Sequence, residues 1–133
     1  MAGEIPGFSW SLPAAADYSS TGKNKLVKVT NSSGNATATQ TTALTDSVIG
    51  VLQNNPRSGE AGTIVSSGVV FLTVNASGAN IVPGDAISPS TTAGVGIKAA
   101  GAGTIVVGIA LTGATTDGAT IVVKLTGGVK AIV

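Results

Sequence analysis

Short apolar runs divided by turn residues dominate the chain, and their period is two rather than 3.6. In "KNKLVKVT" (23–30), Lys25, Val27 and Val29 fall on one face and Leu26 and Lys28 on the other. The turn "NSSGN" leads into "ATATQTTAL" (36–44), a Thr-rich, half-polar strand. "SVIGVLQ" (47–53) and "TIVSSGVVFLTV" (63–74) are separated by the polar stretch "NNPRSGEAG", and "TIVVGIAL" (104–111) pairs naturally with "ATIVVKL" (119–125) across "TGATTDG". β-Branched residues and Gly-rich turns favour strands. No stretch keeps a helical period with caps, and one turn near "PAAADY" is the only helical candidate. The expected fold is all-β: a small β-barrel or β-sandwich-like domain with an extended N-terminal arm.

Three segments follow from this pattern: an arm (1–20), a β body (21–126) and a tail (127–133) hinged at Gly127 and Gly128. Within the body, "VPGDAI" (82–87) is a turn in which Pro83 fixes φ, Gly84 supplies the corner and Asp85 can accept a nearby backbone N–H. "SPSTTAGVGIKAAGAG" (88–103) reads as a loop carrying a short strand around "GVGIKA". The body is also partly self-similar. "VIGVLQNNPRSGEAGTIV" (48–65) and "VVGIALTGATTDGATIV" (106–122) share an apolar pair, a Gly, a second apolar pair, a polar turn and "TIV". Duplicated hairpins would produce this; so would the small vocabulary of Gly-rich hairpins. Gly50 and Gly108 interrupt strands, where Gly marks a bulge, a bend or a close backbone approach.

Two features call for an explanation beyond packing. The chain has four aromatic residues, and Phe8, Trp10 and Tyr18 lie in the first eighteen positions, among prolines and glycines. They either fold back to plug the chain's own barrel or anchor the arm in a neighbour, since aromatics dominate interface energetics. The second reading makes Ile5, Phe8, Trp10, Leu12 and Tyr18 partner-contact residues, so that deleting residues 1–14 would leave a folded body. The other feature is "GVVFLTV" (68–74), apolar on both faces: Val69, Phe71 and Thr73 on one, Val70, Leu72 and Val74 on the other. A half-exposed strand should alternate. A subunit interface or a second layer within the chain would account for it, and Val70, Leu72 and Val74 are the oligomer-interface candidates.

Composition narrows the chemistry. Charged residues are 10% of the chain, against about 25% in an average soluble domain, which leaves apolar surface for contacts. A net charge of +1 gives no basic stripe for nucleic acid. No apolar run reaches the roughly 18 residues of a membrane span, and the N-terminus has no signal-peptide pattern. The chain has no Cys and no His, so it lacks a thiolate, the commonest general base and the commonest transition-metal ligand. "GVGIKAAGAG" (94–103) lacks the helix of a dinucleotide fingerprint, and Gly22-Lys23 lacks the rest of a phosphate loop. Glu60, Asp85 and Asp117 sit in expected turns, where acids serve as turn formers. Ser and Thr hydroxyls have no base to activate them. The expectation is a protein without catalytic, metal or cofactor sites.

The order and spacing of the motifs then matter. "AADYSSTGKNKLVKV", "SVIGVLQNNPRSGEAGTIVSSGVV", "IVPGDAIS" and "IVVGIALTGATTDGATIVVKL" together resemble the decoration, or cement, proteins of tailed-bacteriophage capsids. The likeness rests on Val48–Asn54, Gly59–Ala61, Gly84–Ala86 and Gly108–Leu111 and spans about residues 15–125. It implies a structural protein, made in the host cytoplasm, that binds the outside of a phage head. It would commonly be a homotrimer clamping major capsid subunits, with no nucleic acid or membrane partner and no cofactor. Another virion or adhesive protein, such as a fibre-base component, is the rival; it would show elongated assembly. A carboxylate hydrolase would depend on Asp85 and Asp117.

Overall fold

The computed structural model describes residues 3–101 and 103–130, and for Pro6 and residues 127–130 the backbone alone. Among them are eleven strands and no helix: β1 (Ile5–Pro6), β2 (Ser9–Pro13), β3 (Lys25–Ser32), β4 (Asn35–Gln40), β5 (Gly50–Leu52), β6 (Ala61–Val65), β7 (Gly68–Val74), β8 (Ala86–Pro89), β9 (Gly96–Lys98), β10 (Ile105–Ala110) and β11 (Ala119–Lys130). The fold is all-β, as the period of two requires. One sheet has the order β2-β6-β5-β3-β4 and the other β1-β7-β11-β10-β8-β9.

Leaving β1 aside, these two orders are the same. Replacing β2 through β6 by β7 through β11, each in turn, converts one into the other. Both sheets also curl until the two ends of these orders meet in parallel, at Ala14 (just past β2) and Ala38 of β4 in one half and at Val74 of β7 and Gly96 of β9 in the other. The amide after each closing residue, of Ala15 and of Asn75, donates at 2.9 Å to the Ala38 and Gly96 carbonyls respectively. The chain is thus a tandem of two five-stranded barrels.

Other landmarks agree. Asn24 and Gly84 both have positive φ, 65° and 98°, and their amides donate at 2.8 Å to the Leu52 and Ala110 carbonyls. Val27 pairs with Gly50 as Ile87 pairs with Gly108. A Cβ on Gly50 would collide with the Val65 carbonyl oxygen, and one on Gly108 with the Lys124 carbonyl oxygen, so both glycines answer to the same close approach. Ala14 therefore corresponds to Val74, Asn24 to Gly84 and Val27 to Ile87, always the same distance apart in sequence. The repeat visible in "TIV" is real at the level of the hairpins, but the sheet registers place Ile64 opposite in role to Val123 rather than to Ile121.

Each barrel has its own interior. In the first, Ala14, Tyr18, Val27, Ala38, Leu52 and Ile64 cluster, with Trp10, Leu12 and Ile49 against them. In the second, the counterparts Val70, Leu72, Val74, Ile87, Ala110 and Val123 are fully buried. Leu26, Val51 and Val65, on the outer wall of the first barrel, join this second cluster. That explains why β3, β5 and β6 are apolar on both faces: they stand between two cores. Backbone bonds stitch the barrels together, from the Leu26 amide to the Gly94 carbonyl at 2.7 Å and from the Thr73 amide to the Asn24 carbonyl at 2.9 Å.

This architecture corrects two expectations. Residues 9–20 are not an arm: β2 pairs with β6 over five residues, from Ser9↔Val65 to Pro13↔Ala61, because the first barrel needs its fifth strand. Deleting residues 1–14 would open that barrel rather than leave a folded body. The tail is not hinged at Gly127 and Gly128, since β11 continues through them to Lys130, paired with Ile105; residues 131–133 lie outside the described residues. The "PAAADY" segment is the end of β2 followed by a bend, and the single turn expected near it starts at its last residue, the Gly22 amide donating to the Tyr18 carbonyl at 3.0 Å.

Candidate docking surface

The five N-terminal candidates divide into two groups. Tyr18 is 8% exposed and its phenol oxygen accepts the Gln40 amide at 3.1 Å inside the first barrel. Trp10 is half-buried, its Nε1 donating to Ser66 Oγ at 2.6 Å, and Ser66 Oγ donates onward to the Ile49 carbonyl at 2.7 Å. Leu12 is half-buried against the same interior. These three plug their own barrel. Ile5 and Phe8 are different: they are 69% and 63% exposed, the largest values among the exposed large apolar side chains of the described residues.

The backbone beneath Ile5 and Phe8 is held. Ile5 pairs with Val69 and Pro6 with Gly68 on β7. The Gly7 amide donates to the Ser67 carbonyl at 2.9 Å, the Phe8 amide to Ser67 Oγ at 2.8 Å, and the Ser66 amide to the Phe8 carbonyl at 2.9 Å. An apolar side chain displayed from a fixed backbone loses little entropy on binding, which is what a contact residue requires.

The outer wall of the second barrel continues this surface. On β7, Val69 and Phe71 are half-buried and lie on the face of Ile5, with Thr73 beyond them. Across the ladder stand Lys124, Val122 and Thr120. The candidate interface residues Val70, Leu72 and Val74 face the other way and are 0% exposed. They are interior residues of the second barrel; the half-buried face of β7 is that of Val69 and Phe71. Alternation located the two faces, but nothing in "GVVFLTV" distinguishes inside from outside.

Apart from Glu4, whose carboxylate accepts the Phe71 amide at 3.4 Å, the carboxylates are committed to turns. Asp85 Oδ2 accepts the Val82 amide at 2.9 Å and pairs with Lys98 Nζ at 3.4 Å; Asp117 Oδ1 accepts the Ser77 amide at 3.0 Å. Glu60 Oε1 accepts the Arg57 amide at 2.7 Å. Asp46 accepts the Thr42 and Ala43 amides and pairs with Lys28 at 3.1 Å. Backbone bonds from Val82 and from Ser77 hold Asp85 and Asp117 below the ordinary carboxylate value of 3.8. Groups held in the charged form by such bonds are the opposite of a raised-pKa general acid. Among the described residues no three His, Cys, Asp or Glu come together as a metal-holding group.

The described residues form two fused β-barrels with most acids engaged in turns and two exposed apolar side chains on a fixed edge. A sequence model of phage cement proteins matches residues 20–125, and the chain belongs to that family. Among solved structures, the N base of the head fibre gp8.5 of bacteriophage phi29 has a similar fold. The TM-score is 0.68 at 13% identity, over 91% of this chain and 95% of that one. No curated protein sequence matches the chain.

Proposed function

We propose that the chain binds the outer surface of an assembled phage head and clamps neighbouring major capsid subunits, acting as a homotrimer. Membership of the cement family supports a place on the head. The observation that carries the contact itself is the pair Ile5 and Phe8, exposed on an immobilised edge beside Val69. A protein that binds only the assembled shell stabilises it by mass action, and many copies multiply a modest term per site. The half-exposed wall of Val69 and Phe71 is the surface we assign to contact between copies.

The test is co-sedimentation of Phe8→Ala with heads that lack this protein. A buried aromatic anchor contributes about 2 kcal/mol or more, so affinity falls by roughly 30-fold, while the melting temperature stays at the native value. Undiminished binding would refute the role of Phe8. The likeness to a head-fibre base favours a second reading, in which the chain seats a longer fibre on the head. Small-angle scattering distinguishes the two: a compact trimer supports the clamp, an elongated assembly the fibre base.

A further inference from the structure

The two barrels differ at the gap beside their closing pairs. In the second barrel β7 and β9 part on one side of Val74–Gly96, and residues 24–26 of the first barrel lie between them. The Thr73 amide donates to the Asn24 carbonyl at 2.9 Å, and the Leu26 amide donates to the Gly94 carbonyl at 2.7 Å. The Leu26 side chain joins Val70, Leu72 and Val74. Three residues thus act as an inserted strand that carries one aliphatic side chain into the interior, and β1 covers the next stretch of the β7 edge at Val69.

The first barrel has the same gap, between β2 ahead of Ala14 and β4 ahead of Ala38. The Ala14 amide donates to the Glu60 carbonyl and the Ser66 amide to the Phe8 carbonyl, which turns the even-numbered residues of β2 toward β6. Alternation then aims the backbone amides and carbonyls of Ser9 and Ser11 into the gap. On the other side, the bond from the Thr41 amide to the Leu26 carbonyl fixes the phase of β4 and turns the Ala36 amide and carbonyl away from β3. Among the described residues no strand pairs with this edge of β2, nor with this edge of β4 at Ala36. The side chains beside the gap agree. Trp10 and Leu12 are half-buried, and Val29, on the interior face two residues beyond Val27, is 46% exposed. Their counterparts Val70, Leu72 and Pro89 are all buried.

We propose that the gap in the first barrel is a docking site for an extended segment of a phage shell protein. The segment pairs with Ser9 and Ser11 of β2 and with Ala36 of β4, and turns one large aliphatic side chain toward Trp10, Leu12 and Val29. This is strand addition, in which main-chain bonds supply affinity and a side-chain pocket supplies specificity. Residues 24–26 show the bound form in the second barrel. Pro13 stands where Thr73 donates and has no amide, so the incoming chain bonds first at Ser11, further from the closure. A second copy is a poor occupant: its segment equivalent to 24–26 is 84–86, in which Ala86 replaces Leu26 and offers no long side chain. The identity of the partner rests on the decoration reading above, and because Ser9 adjoins Phe8 the segment extends the contact surface assigned there.

Hydrogen exchange of the full chain, free and bound to heads that lack it, tests the proposal. Exchange at the Ser9, Ser11 and Ala36 amides should slow by about tenfold or more on binding, as it does for amides that become bonded. Val29→Glu places a charge in the gap and should lower co-sedimentation with heads at least about tenfold, because the charge is buried unpaired, while the melting temperature stays native. Val82→Glu, at a comparably exposed apolar side chain of the second barrel, should bind heads as the native chain does. Unchanged exchange at all three amides in the bound chain overturns the proposal, as does native head binding by Val29→Glu. If Val29→Glu weakens self-association and leaves head binding intact, the gap receives a second copy, and the proposal is overturned. Should Val29→Glu fail to fold, exchange of the native chain decides. A native chain that ignores heads defeats the decoration reading instead, and titration of the ¹⁵N-labelled chain with a peptide of residues 22–28, and with its Leu26→Ala form, then judges the gap. Saturable shifts at Ser9, Ser11 and Ala36, weaker with the Leu26→Ala peptide, support the gap as a strand site; their absence overturns it.

Discussion

Leu72→Ala tests which side of β7 is inside. Leu72 is 0% exposed, opposite Ile121 on β11, in a cluster drawn from several strands of the second barrel and the outer wall of the first. Its lining is β-sheet on several sides, which relaxes little into a void. Leu→Ala changes at such sites cost about 2–5 kcal/mol, rising with the cavity left, and we place this one near the middle, at about 3–4 kcal/mol. That is a large part of the roughly 5–15 kcal/mol of an ordinary domain. For a chain of this size, each kcal/mol lowers the melting temperature by about 3–5 °C, so the expected drop is roughly 10–20 °C. Circular-dichroism melting at two protein concentrations, with urea unfolding alongside, measures it: the midpoint should fall without a change in slope. Phe71→Ala, on the half-exposed face, should cost no more than about 1 kcal/mol and act on association between copies. If Leu72→Ala melted within a few degrees of native but lost its oligomeric state, the side chain would face a partner, and the two-barrel packing would be wrong.

Three further expectations are independent of that one. Gly108→Ala drives a methyl into the Lys124 carbonyl and the Val123 side chain and should cost about 1–3 kcal/mol, as overpacking does; a thermal melt equal to native would count against the strand register. Tyr18→Phe leaves the buried Gln40 amide without its acceptor, for a loss of about 1–3 kcal/mol visible in urea unfolding. Acid should destabilise the fold through Asp17, Asp85, Asp117 and Asp46. Ser19, Val82 and Ser77 hold the first three low, and at Asp46 amides and Lys28 outweigh burial. Because folded values lie below 3.8, the stabilising contribution is complete above that pH and fades as pH falls through the folded values. Stability flat from pH 7 to 5 and declining below 4 is expected, and a chain equally stable at pH 3 would show that these bonds do not persist in solution.

Most strands were legible because alternation and turn chemistry agree along "KNKLVKVT" and "TIVVGIAL". The N-terminal strand was not, although "SWSLP" does alternate, with Trp10 and Leu12 toward the barrel interior. Five residues between Gly7 and Pro13 carry too short a period to outweigh flanking breakers, and only pairing with β6 across some fifty positions reveals the strand. The same non-locality hid the duplication beyond its hairpins. "TIV" aligns by letter to Ile121, whereas the structural counterpart of Ile64 is Val123, because the two halves differ in loop length. The choice between plug and anchor for the aromatics was likewise a matter of tertiary distance. Tyr18 found an amide in its own barrel, and Phe8 found none to cover it.

The duplication also implies that a further barrel does not dock readily on the second as the second does on the first. The wall of the first barrel that meets the second is Leu26, Val51 and Val65. Its counterparts on the second barrel are Ala86, Ile109 and Lys124, the first two half-buried and Lys124 exposed. Two of three large apolar contacts have become a small side chain and a charge, which makes docking of a further barrel in the same way costly. Charged residues commonly blunt open sheets in this manner, and a head-to-tail contact that does not close would otherwise grow into filaments. Lys124→Val restores the Val65 side chain at this place and should raise self-association with concentration, read by sedimentation velocity as species larger than the native assembly. Lys124→Glu, which keeps a charge, should not. If Lys124→Val sedimented as the native chain does at every concentration, the correspondence of Val65 with Lys124 would carry no energetic meaning, and association between copies would have to be sought entirely along Val69 and Phe71.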